Sequence, residues 1–132
     1  MYLTFAIQFE EDAIRNIQRD YIKVKCNPFQ LKLIKKISEA ICEQIDIPIL
    51  AIRAATWYAL KEWKLKYNKT ISELNSADIK NKIIAGKEIF DIGKSTLKQY
   101  LKEPKYENEM KLDIAYEKGF KIFLKVLNRM ND

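Results

Sequence analysis

The tightest constraint on how this chain can fold comes from a run of alternating apolar and polar side chains at residues 21–26. The apolar side chains fall at the even positions, and the odd positions hold Tyr21, Lys23 and Lys25. This two-residue period is typical of a half-buried β-strand. A lone strand cannot satisfy its own backbone hydrogen bonds. It must therefore pair either with residues 1–9 or with the same strand of a second copy of the chain.

Two helical patterns follow the alternating run. In the first, apolar residues recur at three- and four-residue steps to about residue 45, with Asn27 suited to the N-cap and Pro28 to the first helical position. A break follows, in which Asp46 can cap the next helix. The second pattern runs from residue 49 to residue 67. Small residues at its centre would let another helix approach closely.

This order of strand, helix, turn and helix resembles the ribbon–helix–helix (Arc/MetJ-type) DNA-binding family. The segment Ile52-Arg53-Ala54-Ala55, with the apolar positions after it, is similar to the second helix of that family. The resemblance covers about 47 of the 132 residues and consists of a pattern without a fixed motif. The family folds as an intertwined dimer whose two strands pair and enter the major groove of DNA.

The resemblance implies a homodimer that binds double-stranded DNA in a sequence-specific way. Such a protein would act as a transcriptional repressor or as a plasmid maintenance or relaxosome accessory factor. The implied base contacts are Tyr21, Lys23 and Lys25. The implied phosphate contacts are Pro48, Ile49 and Leu50 at the start of the second helix, together with Lys32, Lys35, Lys36 and Arg53.

The distribution of charge agrees with an anionic partner. The chain has a net charge of +6, and residues 21–67 alone carry nine basic and four acidic residues. The basic excess is therefore densest in the stretch with the family resemblance, as expected for a nucleic-acid-binding surface.

A second stretch, residues 91–101, contains parts of two motifs. Gly93-Lys94-Ser95 resembles the end of a phosphate-binding loop, but the first glycine of that motif is replaced by Glu88 and no apolar strand precedes it, so nucleotide binding is excluded. The stretch is also similar to the opening of a helix–turn–helix recognition helix. The alternative is an ordinary amphipathic helix capped by Ser95. The secondary candidates for DNA contact are Lys94, Ser95, Thr96 and Lys98.

The sequence offers no set of residues for catalysis. The chain has no histidine and only two cysteines, Cys26 on the apolar face of its predicted strand and Cys42 within a predicted helix. Without histidine, nucleophilic triads and most zinc sites are excluded. We therefore expect a protein that is not an enzyme and has no cofactor or metal. Residues 1–9 have neither the length nor the basic start of a signal peptide or membrane span, so the expected compartment is the cytoplasm, with no membrane partner.

The patterns together predict a mainly α fold with one short N-terminal strand, or two, followed by about five helices. Residues 1–20 would form an N-terminal extension, 21–67 a ribbon–helix–helix-like unit for DNA binding and dimerisation, and 68–132 a C-terminal helical region for oligomerisation or partner binding. In this last region Ser76 or Asp78 could cap a helix that Gly86 interrupts.

The last predicted helix, at residues 107–128, has an apolar stripe that could be core, a dimer face or a docking surface for a second protein. The alternative function is therefore an all-helical protein–protein interaction module, such as an adaptor or a phage-encoded inhibitor, that does not bind DNA. Salt dependence distinguishes the two functions, since DNA binding weakens by orders of magnitude as salt rises.

Overall fold

Four helices account for most of the described chain. The computed structural model describes residues 12, 15, 16, 19, 28–70, 73–74, 76–101 and 105–129. The described residues contain no β-strand. The helices are α1 (Pro28–Cys42), α2 (Ile49–Tyr67), α3 (Ile79–Lys98) and α4 (Tyr106–Arg129).

Helices α2 and α3 pack against each other in opposite directions. Lys66, near the end of α2, contacts Glu88 of α3 with 2.7 Å between Nζ and Oε1. Ala59, near the middle of α2, faces Gly93 farther along α3. Since the later position on α3 faces the earlier position on α2, the two helices are antiparallel.

The remaining helix pairs complete a closed ring. Lys98, at the end of α3, contacts Asp113 near the start of α4, and Gly86 lies against Phe123 later in α4, so α3 and α4 are also antiparallel. The short connection 43–48 makes α1 and α2 antiparallel neighbours. Helix α4 packs against α1 and closes the ring. The result is an up-down-up-down four-helix bundle.

The core of the bundle takes side chains from every helix. Phe90 of α3 lies edge-on to three rings of α4, with centroids 6.1 Å from Tyr116, 5.9 Å from Phe120 and 5.6 Å from Phe123. Such edge-to-face arrangements are favoured by the charge distribution of aromatic rings. The largest fully buried apolar side chains are Leu33, Ile34, Ile37, Ile41, Ile52, Ile89, Leu97, Leu112, Phe123 and Leu127.

Small residues set how closely the helices approach. A Cβ added at Gly93 would lie 3.7 Å from Ala59 Cβ and 3.8 Å from the carbonyl oxygen of Ala55, which confirms the predicted close approach at the centre of α2. Gly86 was predicted to interrupt a helix, and this prediction is wrong because α3 continues through it. The missing side chain leaves room for the rings of Phe120 and Phe123.

The predicted ribbon–helix–helix core, with an N-terminal strand and about five helices, is wrong. In that fold the apolar sides of the first two helices would be covered by a second copy of the chain. Here α3 and α4 of the same chain cover these apolar sides. The two helices form half of the bundle, whereas the sequence indicated that they belong to an appended extension. The predicted strand at 21–26 and its possible partner at 1–9 lie outside the described residues.

The predictions for helix ends succeed in part. The Asp78 carboxylate caps α3 by accepting a hydrogen bond from the Asn81 amide at 2.8 Å, as predicted. Asp46 does not cap α2, whose N-cap is Pro48 with no side-chain bond. Ser95 lies inside the last turns of α3, so the predicted helix start there and the helix–turn–helix are both wrong.

Helices α1, α2 and α4 begin and end close to their predicted bounds. Helix α1 ends at Cys42, three residues before the predicted end, and α4 exceeds its predicted range by one residue at each end. The buried stripe of α4 packs in the core of its own chain through Leu112, Tyr116, Phe123 and Leu127.

Candidate nucleic-acid interface

Three lysines of α1 share the side of that helix that faces solvent. Lys32, Lys35 and Lys36 are all exposed, whereas Leu33 and Ile37 on the opposite side are fully buried. Within the part of the chain that the structure describes, none of the three lysines takes part in an ion pair. Their ammonium groups are therefore available to an external anion.

Helix α4 presents a similar group that the sequence reasoning missed. Lys118, Lys121 and Lys125 are exposed at three- and four-residue spacing, on the side away from the buried Leu112 and Phe123. They too have no ion-pair partner among the described residues. The same periodicity that located the apolar stripe of this helix would have located these lysines on its polar side.

The two lysine groups lie at similar heights on neighbouring helices. A Cβ added at Gly119 would lie only 2.8 Å from Ile41 Cγ1, so these two positions are level. Lys36 precedes Ile41 by five residues and Lys125 follows Gly119 by six. In antiparallel helices with equal rise per residue, Lys36 and Lys125 are then nearly level.

We call the six residues together the lysine face. Three acidic residues lie near these lysines along the chain: Glu39 on α1, Glu43 directly after it and Glu117 on α4. The net charge of the region is therefore +3. The lysine face consists of Lys32, Lys35, Lys36, Lys118, Lys121 and Lys125.

The start of α2, predicted to meet phosphate, is accessible. Pro48 and Leu50 are exposed and Ile49 is half-buried. The first backbone bonds of the helix run from the amides of Ala51 and Ile52 to the carbonyl of Pro48, so the amides before them make no helical bond.

Arg53, another predicted phosphate contact, is not a free surface cation. Its side chain is half-buried, and its Nε is buried with no hydrogen-bond partner among the described residues. Its charge acts on the thiol of Cys42. The guanidinium group is thus partly directed toward the α1–α2 contact.

The secondary candidates on α3 are already engaged. Asp113 Oδ1 lies 3.1 Å from Lys94 Nζ and 2.9 Å from Lys98 Nζ. Partial burial raises the pKa of Asp113, but the hydrogen bonds from Lys98 and Lys94 outweigh it, so the pKa falls below its ordinary value. The Thr96 hydroxyl donates to the Ile92 carbonyl at 2.7 Å. Both lysines therefore share one ion-pair partner, Asp113, within the bundle.

The predicted base contacts cannot be placed on this surface. Tyr21, Lys23 and Lys25 lie outside the described residues. The structure thus brings together Lys32, Lys35 and Lys36 of the predicted set and places Arg53, Lys94 and Lys98 in other surroundings.

Two polar groups inside the described part of the bundle have raised pKa values. The Cys42 thiol donates to the Ile47 carbonyl at 3.6 Å, and burial raises its pKa, only partly opposed by Arg53. A thiol with a raised pKa is a poor nucleophile. Burial also raises the pKa of the Tyr116 hydroxyl, which has no hydrogen-bond partner among the described residues.

Two other kinds of feature are absent from the described residues. No group of three or more histidine, cysteine, aspartate or glutamate residues in this part of the chain could hold a metal ion. None of its helices is both long and apolar enough to cross a bilayer.

No protein-family model, curated protein or solved structure matches the chain. The lysine face is a cationic part of the described surface, and cationic side chains are the groups that contact phosphate in nucleic acids.

Proposed function

We propose that this protein binds double-stranded DNA through the lysine face. The observation that carries the proposal is that six exposed lysines, unpaired within the described chain, lie on the solvent sides of two helices that pack against each other. Unpaired ammonium groups give up no ion pair when they bind phosphate, and each contact releases a counterion condensed on the DNA.

The contacts available to the lysine face are contacts to phosphate. They position a protein on the duplex but carry no sequence information by themselves. We expect dissociation constants of roughly 10⁻⁴ to 10⁻⁶ M at physiological salt, the range of non-specific binding. Transcription control and plasmid maintenance are the processes in which this binding would act, with a homodimer as the acting form.

The proposal is tested by the salt dependence of binding to a labelled duplex, followed by fluorescence anisotropy. A plot of log affinity against log salt falls with a slope of about −0.9 per phosphate contact. The triple variant Lys32→Ala, Lys35→Ala, Lys36→Ala should bind less tightly, and its slope should be shallower by about 2 to 3. The triple variant at Lys118, Lys121 and Lys125 should behave in the same way.

The matched control removes three exposed lysines from another part of the surface. Lys64, Lys69 and Lys80 are exposed and have no ion-pair partner among the described residues. Their replacement by alanine changes the net charge by the same amount. If this control flattens the slope as much as the α1 variant does, the attraction comes from net charge alone and the lysine face is not the interface.

A second candidate function, a protein–protein interaction module, is favoured by a separate surface on α4. Tyr106, Met110 and Ile114 recur every four residues and are 79%, 42% and 49% exposed. An apolar stripe of this kind on a helix fits a groove on a partner protein. If the protein shows no affinity for duplex DNA even at low salt, the result favours this second candidate function.

A further inference from the structure

A cleft with a volume of about 650 Å³ opens between α2 and α3, on a part of the bundle outside the lysine face. Its aromatic lining consists of Trp57, Tyr58 and Tyr100. Tyr58 is exposed and the other two rings are half-buried. The aromatic pairs within the described chain all involve other rings, so these three do not stack on an aromatic neighbour there.

The described lining of the cleft has a charge opposite to that of the whole chain. Besides the helices, Asn16 lines the cleft, and Asp91 is the one charged residue among the described lining residues, although the protein has 24 basic and 18 acidic residues. The Asp91 side chain is 75% exposed, and its ion pair with Lys94 is loose at 3.9 Å. Lys94 lies closer to Asp113, at 3.1 Å. The carboxylate of Asp91 can therefore accept a cation from outside.

Trp57 already attracts an ammonium group. Lys61 Nζ lies 5.3 Å from the centroid of the Trp57 ring, and Lys61 is not among the residues that line the cleft. Tryptophan is the strongest of the aromatic side chains in cation–π interactions, and a carboxylate beside such rings adds Coulomb attraction.

We propose that this cleft binds a basic side chain, lysine or arginine, of a partner peptide. Trp57, Tyr58 and Tyr100 would contact the cationic group, and Asp91 would be its counter-ion. The cleft is much larger than an ammonium group, and its remaining lining includes the hydroxyl of Ser95 and the amide of Gln99. Such groups can form hydrogen bonds with the peptide backbone on either side of the basic residue.

The test is a titration of the full chain, by isothermal calorimetry and by NMR of the Trp57 indole signal. Two capped pentapeptides serve as probes, one with lysine between glycines and one with norleucine in its place. The lysine peptide should bind saturably and the norleucine peptide should not. Equal binding of the two would overturn the proposal, because the cleft would then recognise only an apolar chain.

Variants test the roles of the lining residues. Trp57→Leu, Tyr58→Leu and Asp91→Asn should each lower the association constant about fivefold. Tyr67→Leu is the matched control for Tyr58→Leu, since both tyrosines are exposed on α2 and Tyr67 does not line the cleft. Asp91→Asn alters an exposed side chain, so it remains informative if Trp57→Leu fails to fold.

A titration with choline chloride distinguishes a free organic cation from the basic side chain of a peptide. Sodium chloride at equal ionic strength is the reference. The proposal expects choline to bind more weakly than the lysine peptide, since it lacks a backbone to hydrogen-bond. Binding of choline without binding of the lysine peptide would overturn the assignment to a peptide. Loss of binding in Tyr67→Leu equal to that in Tyr58→Leu would overturn the location.

Discussion

Gly119 determines how closely α1 and α4 can approach. A Cβ added there would lie 2.8 Å from Ile41 Cγ1 and 3.0 Å from Phe90 Cε1. Both neighbours are buried, so neither can move without disturbing the core. Gly93, on α3, has more room, because its nearest neighbour would be Tyr116 Cε1 at 3.3 Å.

We expect Gly119→Ala to lower the free energy of unfolding by roughly 1–2 kcal/mol, because overpacking outweighs the better helix propensity of alanine. Gly93→Ala is the control, since it makes the same chemical change within a helix. It should lower the free energy of unfolding by clearly less than Gly119→Ala does, since its tightest contact, with the buried Tyr116 ring, is 3.3 Å. Urea denaturation measures both. An equal effect of the two substitutions would show that the α1–α4 contact is not especially tightly packed at Gly119.

Exposure could be predicted from the sequence at single positions, whereas contacts between helices could not. The polar spacing of Lys32, Lys35 and Lys36 places them on the solvent side of α1, and they are exposed. The tight contact at Gly119 depends on which side chain of another helix faces it. The position of Arg53, with its Nε buried, likewise depends on the packing of α1 against α2.

The starts of α2 and α3 differ in whether a side chain accepts a hydrogen bond from one of the first backbone amides. Asp78 caps α3 through its hydrogen bond to the Asn81 amide, whereas Asp46 lies two residues before Pro48, the N-cap of α2, and makes no such bond. Pro48 has an extended backbone conformation, which ends the connection and begins the helix without a side-chain cap.

We expect Asp78→Ala to lower the free energy of unfolding by about 1 kcal/mol, the usual effect of losing an N-cap side chain. Asp46→Ala removes an equally charged and exposed side chain from the other helix start and should change it by less than about 0.5 kcal/mol. Thermal unfolding followed by circular dichroism provides both values. A larger loss in the Asp46 variant would place an unrecognised cap there.

Periodicity predicted α1, α2 and α4 with ends close to the observed ones, although α4 contains Gly119. Helices α1 and α2 follow their apolar spacing, and α4 was recognised because its stripe is long. Helix α3 was divided incorrectly, because Gly86 and Gly93 are common where helices end. In this bundle they are the positions at which α4 and α2 approach, a role that is decided by tertiary packing.

The predicted arrangement of the whole molecule was wrong because two different folds begin with the same sequence pattern. Amphipathic helices α1 and α2 have apolar sides that must be covered, either by a second copy of the chain or by later helices. The sequence of residues 28–67 is compatible with both possibilities. Helices α3 and α4 provide the cover, through side chains such as Ile89, Leu112 and Phe123.

Because the core closes within one chain, the folding of the bundle should not depend on a second copy. The predicted homodimer stays a prediction, as an association of bundles that are already folded. The expected outcome is an unfolding temperature that is the same at about 2 µM and about 200 µM protein, without DNA. An intertwined dimer would instead lose about 2.7 kcal/mol over this hundredfold dilution, enough to lower the transition by several degrees. Such a shift, measured by circular dichroism in cells of matched optical density, would mean that a partner chain contributes to the core.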